Sequence, residues 1–200
     1  MLYRAKEKIP FRVSSMNRFF KSAITTVSAL SALVFAPVFL SSGQANAAQL
    51  ATQPTGTNAS YLGAGISVGV TNSGNPGDDG DADFGGNVQG RFAIPNTPLS
   101  ARGAILFNDE SAALMPMISY DVPVTNNANI YLGAGYSFVT GNGKLTPLGN
   151  KDAVVLTAGS EAQVSRNIVV YGDAKWGIDA YEDSSADPVS LQAGVAYRFN

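Results

Sequence analysis

The chain has 200 residues, with 13 lysines and arginines, 15 aspartates and glutamates, and neither histidine nor cysteine. The absence of cysteine excludes disulfides, and the absence of both residue types excludes Cys/His zinc sites and an imidazole general base. Because no Ser-His-Asp arrangement can form, we expect the protein to be no enzyme and to need no cofactor.

Residues 1–47 are predicted to be a cleavable signal peptide. An uncharged run covers residues 23–40, and Ala45-Asn46-Ala47 follows it as a small-x-small cleavage site. Basic residues precede the run, at Arg4, Lys6, Lys8, Arg12, Arg18 and Lys21. A signal anchor is the alternative, because the run approaches the length of a transmembrane helix. Polar residues and Pro37 within the run favour cleavage.

Removal of this segment makes the remaining chain acidic. Six of the 13 basic residues and one of the 15 acidic residues lie in it, which leaves seven basic and 14 acidic residues and a net charge of −7. A nucleic-acid-binding protein needs a basic surface, so we exclude nucleic acid as a partner. The remaining ~150 residues suffice for one domain.

Beyond the signal peptide, residues 48–59 are polar and aperiodic, which predicts a flexible periplasmic lead-in. From residue 60 onward, apolar residues recur at every second position in runs that are separated by Gly, Asn, Asp, Ser and Pro. These runs predict eight strands, at 60–70, 83–94, 99–108, 113–122, 129–140, 152–164, 168–180 and 189–199. We therefore predict an all-β fold, an eight-stranded antiparallel up-and-down barrel over residues 60–200.

The connections between the predicted strands alternate in length. Mostly long ones lie at 71–82, 109–112, 141–151 and 181–188, and shorter ones lie at 95–98, 123–128 and 165–167. Short turns on one side and longer loops on the other are typical of outer-membrane barrels. Pro116 interrupts the fourth run, and we expect it near the outer rim, at a bulge or above the bilayer.

Aromatic residues on the uncharged face of the strands are sorted by height. If odd strands run outward, the outer end receives Phe84, Phe107, Phe138 and Trp176, and the inner end receives Phe92, Tyr120, Tyr197 and Phe199. Two aromatic girdles around an aliphatic belt match the two interfaces of a membrane. A soluble sandwich or lipocalin-like barrel would show the same alternation, but its core gives no reason to sort aromatics by height. We therefore predict a transmembrane barrel with outer-membrane lipids as its surroundings.

This pattern resembles the OmpA/OmpX-like family of eight-stranded outer-membrane barrels. Residues 131–138, YLGAGYSF, and the closing run 191–199, LQAGVAYRF, carry the resemblance. It implies a location in the Gram-negative outer membrane and recognition of the C-terminal strand by the barrel-assembly machinery. Asn200 follows Phe199, so the ending departs from a C-terminal Phe by one residue. The resemblance fixes no function, and it leaves the oligomeric state open, with a monomer favoured.

The inward face carries charged residues, among them Arg91, Arg102, Glu161, Asp173 and Lys175. A hairpin centred on residues 96–97 places the two arginines opposite each other, an arrangement that requires counter-charges. Because eight strands enclose a lumen just wide enough for side chains, we predict that both arginines meet Glu161 and Asp173 and plug it. Lys175 lies one inward step above Asp173. The alternative is separate hydration in a wet interior, because burying ions costs desolvation energy.

The stretch 75–83 has carboxylates at alternate positions, like the start of a calcium loop. Phe84 and Gly90 occupy the places where an EF-hand has its glycine and its bidentate glutamate. We therefore predict a solvated acidic loop and no specific metal site, with weak divalent bridging to surface lipids left open.

Three functions are compatible with these features. We favour a structural or interaction barrel that stabilises the outer membrane and presents its loops, with the lumen plugged by charged side chains. The alternative is a narrow porin for passive diffusion of small solutes. A soluble periplasmic ligand-binding barrel is the third.

Overall fold

The structure, a computed structural model, describes residues 54–71, 83–109, 111–141, 144–182, 184 and 186–199. The predicted signal peptide and most of the acidic stretch 75–83 lie outside these residues. Eight strands are present: β1 (Tyr61–Gly69), β2 (Asp83–Ala93), β3 (Leu99–Phe107), β4 (Ala112–Pro123), β5 (Ala128–Thr140), β6 (Ala153–Gln163), β7 (Ile168–Ile178) and β8 (Val189–Arg198). In the described part of the chain, no helix is long and apolar enough to span a membrane.

The eight strands form one closed barrel in chain order. Each strand pairs antiparallel with the next, and β8 pairs with β1 from Tyr61↔Arg198 to Gly69↔Ser190. The eight-stranded up-and-down fold predicted from the sequence is confirmed, with every strand boundary within two residues of its predicted position. Closure leaves no strand edge unpaired, which is the condition for a sheet in a hydrocarbon environment.

Alternation along each strand sorts the side chains into two faces. In β3, Ser100, Arg102, Ala104 and Leu106 are buried, while the residues between them are exposed. The exposed side carries most of the large apolar residues of the barrel, such as Leu62, Phe92 and Ile118. The inward side carries the polar and charged residues together with a buried apolar cluster, so the core of this barrel is its lumen.

The two ends of the barrel differ. One end, here called the turn end, has the short connections 94–98, 124–127 and 164–167. The other, the loop end, has the connections 70–82, 108–111, 141–152 and 179–188. Three of the four loop-end connections are longer than every connection of the turn end, as predicted, and the fourth, 108–111, has only four residues.

Part of the predicted flexible lead-in is folded against the turn end. Thr57 and Ala59 are buried, and the Gly56 N–H donates a hydrogen bond to the carbonyl of Thr125 at 2.9 Å. Residues 55–59 of the predicted flexible lead-in thus make hydrogen bonds to the barrel. This stretch is held by hydrogen bonds to barrel residues that are distant in the sequence. Contacts of this kind produce no local periodicity, so the sequence does not indicate them.

Pro116 lies inside a regular strand instead of at a bulge. It is the fifth residue of β4 and pairs with Gly103 of β3. The β4–β5 register is the same on both sides of it, at Leu114↔Phe138 and Met117↔Gly135, and pairing is interrupted only between these points. Because proline has no N–H to donate, β4 loses its pairing with β5 at this point. The register on both sides is nevertheless unchanged. The expectation of a bulge is therefore wrong.

Candidate functional site in the barrel lumen

Six charged side chains are buried in the lumen and together form what we call the lumen network. Its cations are Arg91, Arg102 and Lys175, and its carboxylates are Asp121, Glu161 and Asp173. Strand alternation places all six on the inward face, on β2, β3, β4, β6 and β7. The three positive and three negative charges balance. This balance is required because the desolvation cost of buried ions must be offset by pairing with opposite charges.

The two arginines lie opposite each other, at the Arg91↔Arg102 pair of the β2–β3 register. Arg91 contacts Asp121 at 2.7 Å and Glu161 at 3.0 Å. Arg102 contacts the same two carboxylates, each at 3.0 Å. Each carboxylate therefore bridges both guanidiniums, and the repulsion between the opposed arginines is offset by two shared counter-ions.

Asp173, which the sequence suggested as the second partner of the arginines, contacts Lys175 instead. The Lys175 Nζ lies 2.5 Å from Asp173 Oδ1 and also donates to Gln89 Oε1 at 3.1 Å. Asp121 takes the expected place beside the arginines. Its strand, β4, is hydrogen-bonded to β3, so Asp121 reaches Arg102 from the neighbouring strand. The predicted partners, in contrast, lie on β6 and β7, across the lumen from the arginines.

Two serines orient the guanidiniums. Arg91 Nε donates to Ser100 Oγ at 2.9 Å, and Arg102 Nε donates to Ser119 Oγ at 2.7 Å. Both serine hydroxyls in turn donate to Asp121. Ser100 and Ser119 are a cross-strand pair of β3 and β4, so the sheet register itself sets this geometry. The hydrogen bonds are mutually supporting, and such satisfied buried networks are rigid.

Three lumenal tyrosines were missed by sequence reasoning. Tyr61, Tyr131 and Tyr171 are almost completely buried. Each is followed or preceded by an outward apolar residue, so strand parity alone could have placed them inside. Aromatic residues were predicted for the outer face only, so these three tyrosines were not predicted to lie inside.

The tyrosines join the parts of the lumen network. Tyr61 Oη donates to Glu161 at 2.8 Å, and Tyr131 Oη donates to Asp173 at 2.9 Å. The Arg102 guanidinium lies 3.6 Å from the centre of the Tyr131 ring, a cation–π contact. Tyr131 therefore connects the arginine cluster to the Asp173–Lys175 pair.

Glycines on the inward face provide the space for these rings. A Cβ at Gly159 would overlap Tyr131 and Asp173, and a Cβ at Gly194 would overlap Tyr171. Tyr171 uses that space to lie stacked on Tyr61, with ring centres 6.2 Å apart. The polar half of the lumen is thus filled by large side chains that pack directly against the backbone of glycine residues.

The lumen is apolar towards the loop end. Leu106, Met115 and Val155 form a buried cluster with Leu148, which comes from the connection 141–152. A tight turn at residues 146–149 delivers Leu148, with paired backbone hydrogen bonds of 2.9 and 3.0 Å between Thr146 and Gly149. We call this cluster the apolar cap. It closes the end of the lumen opposite the strand connections of the turn end.

The eight predicted girdle aromatics all lie on the exposed face. Phe84, Phe107, Phe138 and Trp176 lie towards the loop end of their strands, and Phe92, Tyr120, Tyr197 and Phe199 lie towards the turn end. Among the residues that the structure describes, no group of three or more His, Cys, Asp or Glu side chains could hold a metal ion. Most of the acidic stretch 75–83 is outside that set.

Comparison with known protein families supports this architecture. Residues 33–199 match the model of the outer membrane protein beta-barrel domain. The chain belongs to this family. With the closed eight-stranded sheet, the match confirms the resemblance to small OmpA/OmpX-type barrels and indicates an outer-membrane location. A search of curated proteins finds no match.

Three solved structures illustrate the similarity. The first is Ail, the attachment invasion locus protein of Yersinia pestis, in complex with the heparin analogue sucrose octasulfate; it is 14% identical, with 70% of this chain and 97% of that chain covered and a TM-score of 0.44. The N-terminal barrel domain of Pseudomonas aeruginosa OprF is 11% identical, with coverage of 71% and 98% and a TM-score of 0.47. Neisserial surface protein A is 15% identical, with coverage of 70% and 97% and a TM-score of 0.47.

Proposed function

We propose that this chain is a non-enzymatic structural barrel of the outer membrane, exported behind the signal peptide 1–47, with a lumen closed to solutes. The turn end faces the periplasm and the loop end faces the cell exterior. The observation that carries the proposal is the lumen network, in which three cations and three carboxylates are buried and paired. A barrel with such an interior contributes to membrane integrity and presents its loops without conducting.

The outer surface supports residence in lipid. Within the eight strands, every outward-facing residue is uncharged. The aromatic residues at the two ends of this surface match two membrane interfaces, where amphipathic rings are favoured. Outer-membrane lipids are therefore the proposed partner of this face, and β8, with Phe199 directly after it, is the proposed recognition element for the assembly machinery.

The plug is made of two layers. Towards the turn end, Arg91 has all three guanidinium nitrogens hydrogen-bonded, to Ser100, to Asp121 and to backbone carbonyls. Towards the loop end, the apolar cap closes the lumen with Leu148. A solute would have to displace both layers, and separating a buried ion pair costs several kcal/mol per ion.

Planar-bilayer conductance of the refolded mature protein tests this proposal. We expect no steady conductance from the natural sequence, because both layers block the path. The double variant Tyr131→Ala with Leu148→Gly opens a gap in each layer and is expected to show openings. The matched control is Tyr136→Ala with Leu145→Gly, which changes exposed residues of the same strand and loop and should remain silent. A steady ohmic channel in the natural protein would contradict the plug.

One observation favours the porin alternative. Several buried polar side-chain atoms have no hydrogen-bond partner within the described residues. They include the hydroxyl oxygens of Thr157 and Ser190 and both polar atoms of Gln192. An unsatisfied buried polar group costs about 1–3 kcal/mol, and such groups are normally hydrated. The β6–β8 side of the lumen therefore offers the polar lining along which a narrow pore would run.

A further inference from the structure

Residues 55–60, which we call the strap, cross the turn end of the barrel before β1 begins. Thr57, Ala59 and Ser60 are buried, although nothing in their sequence is strongly apolar apart from the single alanine. The strap is therefore held by polar contacts, and its burial requires specific partners on the barrel.

Two side chains of the barrel hold the backbone of the strap. The Asn129 amide donates to the Thr57 carbonyl at 2.7 Å and accepts the Thr57 N–H at 3.2 Å. Arg91 Nη1 donates to the carbonyls of Thr57 and Ala59 at 3.2 and 2.9 Å. The amide of Asn129 thus pairs with both backbone groups of one residue, as a neighbouring strand would.

Further contacts fix the two ends of the strap. Its first part is held by the Gly56 N–H, which donates to the Thr125 carbonyl at 2.9 Å. Its last part is held by both neighbours of β1: the Phe199 N–H, directly after β8, donates to the Ser60 carbonyl at 3.1 Å, and the Ala93 N–H of β2 donates to Ser60 Oγ at 3.2 Å. The contacts therefore come from connections and strands all around the mouth.

Gly56 shows that the strap and its site fit each other closely. Its φ of +68° lies in the left-handed region that favours glycine. A Cβ at this position would overlap Asn129 Oδ1 and come 3.1 Å from Pro123 Cβ. A side chain at residue 56 would therefore push the strap away from Asn129 and Pro123 at the barrel mouth.

We propose that Arg91 and Asn129 form a binding site for an extended peptide backbone at the periplasmic mouth, and that its occupant is the strap of the same chain. The strap closes this mouth and fixes the point from which the preceding residues enter the periplasm. The strap also fits through its side chains, because the Thr57 hydroxyl accepts the Ala59 N–H at 3.2 Å and Ala59 packs in a buried cluster with Tyr61 and Tyr171. The inference rests on the proposed barrel orientation, but it does not require that the lumen be plugged.

Cysteine accessibility in the full mature chain tests the inference, since the natural sequence contains no cysteine. Thr57→Cys places a thiol in the buried part of the strap, and Asn58→Cys places one at the adjacent exposed residue. With a membrane-impermeant maleimide added from the turn end, we expect Thr57→Cys to react at least ~10-fold more slowly than Asn58→Cys, because an opening cost of 1.4 kcal/mol is tenfold in population.

The second arm displaces the strap. In a Gly56→Val background, the two cysteines are expected to react at similar rates, whereas a Pro54→Val background, which changes an exposed residue, should preserve the difference. Equal rates without Gly56→Val, or continued protection of Thr57→Cys with it, would overturn the proposal. Heat-modifiable mobility of every variant verifies that the barrel itself has folded.

Conductance of the same variants separates this inference from the proposed plug. If Thr57→Cys is protected and the natural protein conducts, the strap is real and the plug fails. If Thr57→Cys is freely reactive and the natural protein is silent, the plug stands and the strap proposal is rejected.

Discussion

Arg102 has all three guanidinium nitrogens engaged inside the lumen. Nη2 contacts Asp121 and Glu161, Nε donates to Ser119, and Nη1 donates to the Tyr61 hydroxyl at 3.0 Å. Arg102 is 4% exposed, so these protein groups supply its hydrogen-bond partners in place of water. The free energy of unfolding should therefore depend strongly on this one side chain.

Replacement of this arginine by an apolar residue of similar length tests that dependence. We expect Arg102→Met to lower the free energy of unfolding by about 3–5 kcal/mol, because two buried carboxylates lose a counter-ion. Urea titration in lipid vesicles measures the change. Lys151→Met is the control: its ion pair with Asp179 is exposed, so the loss should stay below about 1 kcal/mol. Equal losses in the two variants would contradict a special role for burial.

A second substitution separates charge balance from packing. Glu161→Gln removes one of the carboxylates that Arg102→Met leaves underpaired. In the double variant, the combined loss should be smaller than the sum of the two single losses, because the charges are again balanced. Additive losses in the double-mutant cycle would show that packing around Arg102, and not its charge, is what the lumen network requires.

The inward glycines allow a test of the lumenal packing. Gly194→Ala would place a Cβ against the Tyr171 ring, so we expect a loss of about 1–3 kcal/mol in the free energy of unfolding. Gly103→Ala is the matched control, since a Cβ there meets nothing within 4 Å on the outer face. If both variants unfold at the same urea concentration, the Tyr171 ring has more room than the structure gives it.

At the scale of single elements, β4 contains the one proline that interrupts pairing within a strand. Pro116→Leu supplies the missing N–H while keeping an apolar residue on the outer face. We expect the free energy of unfolding to rise by about 0.5–1.5 kcal/mol through a new β4–β5 hydrogen bond. Protection of the residue 116 amide from hydrogen exchange would identify that bond directly. A decrease in stability would show that β5 has adapted to the gap.

The strands themselves could be predicted from sequence because two independent signals coincide. Side chains alternate with a period of two, and turn-forming residues mark the ends of each run. In the first half of β3, Leu99 and Ala101 alternate with Ser100 and Arg102, and the burial pattern alternates along the whole strand. Loop lengths then limited the topology to an up-and-down barrel.

Contacts inside the lumen could be predicted only in part. Parity shows which residues face inward, but the tilt and stagger of the strands decide which of them share a height. That is why Asp173 was expected beside the arginines and Asp121 is found there. The strap and Leu148 depend on contacts of irregular segments with distant residues, and no period in the sequence reports such contacts.

Across the whole molecule, charge is sorted by height. Of the 14 acidic and seven basic residues after position 47, three of each are in the lumen network, and two arginines, Arg166 and Arg198, lie at the turn end. The remaining eleven carboxylates and two lysines belong to the loop end and its connections. In sequence, the loop-end connections and the residues beside them carry a charge of −9 and the turn end carries +2, which together give −7. The outward surface of the strands between them is uncharged and available for contact with lipid.

This distribution predicts how the protein folds and migrates. The mature chain 48–200 should fold only in detergent or lipid, because its large apolar side chains face outward and its lumen is polar. In electrophoresis in the presence of detergent, the unheated protein should stay folded and migrate as a compact species, because a closed barrel has no unpaired strand edge. After boiling, the unfolded chain should migrate more slowly. Circular dichroism of the unheated sample should show β structure. A β-rich protein that folds in buffer alone would require the apolar face to turn inward, and it would overturn the membrane assignment together with the lumen network that depends on it.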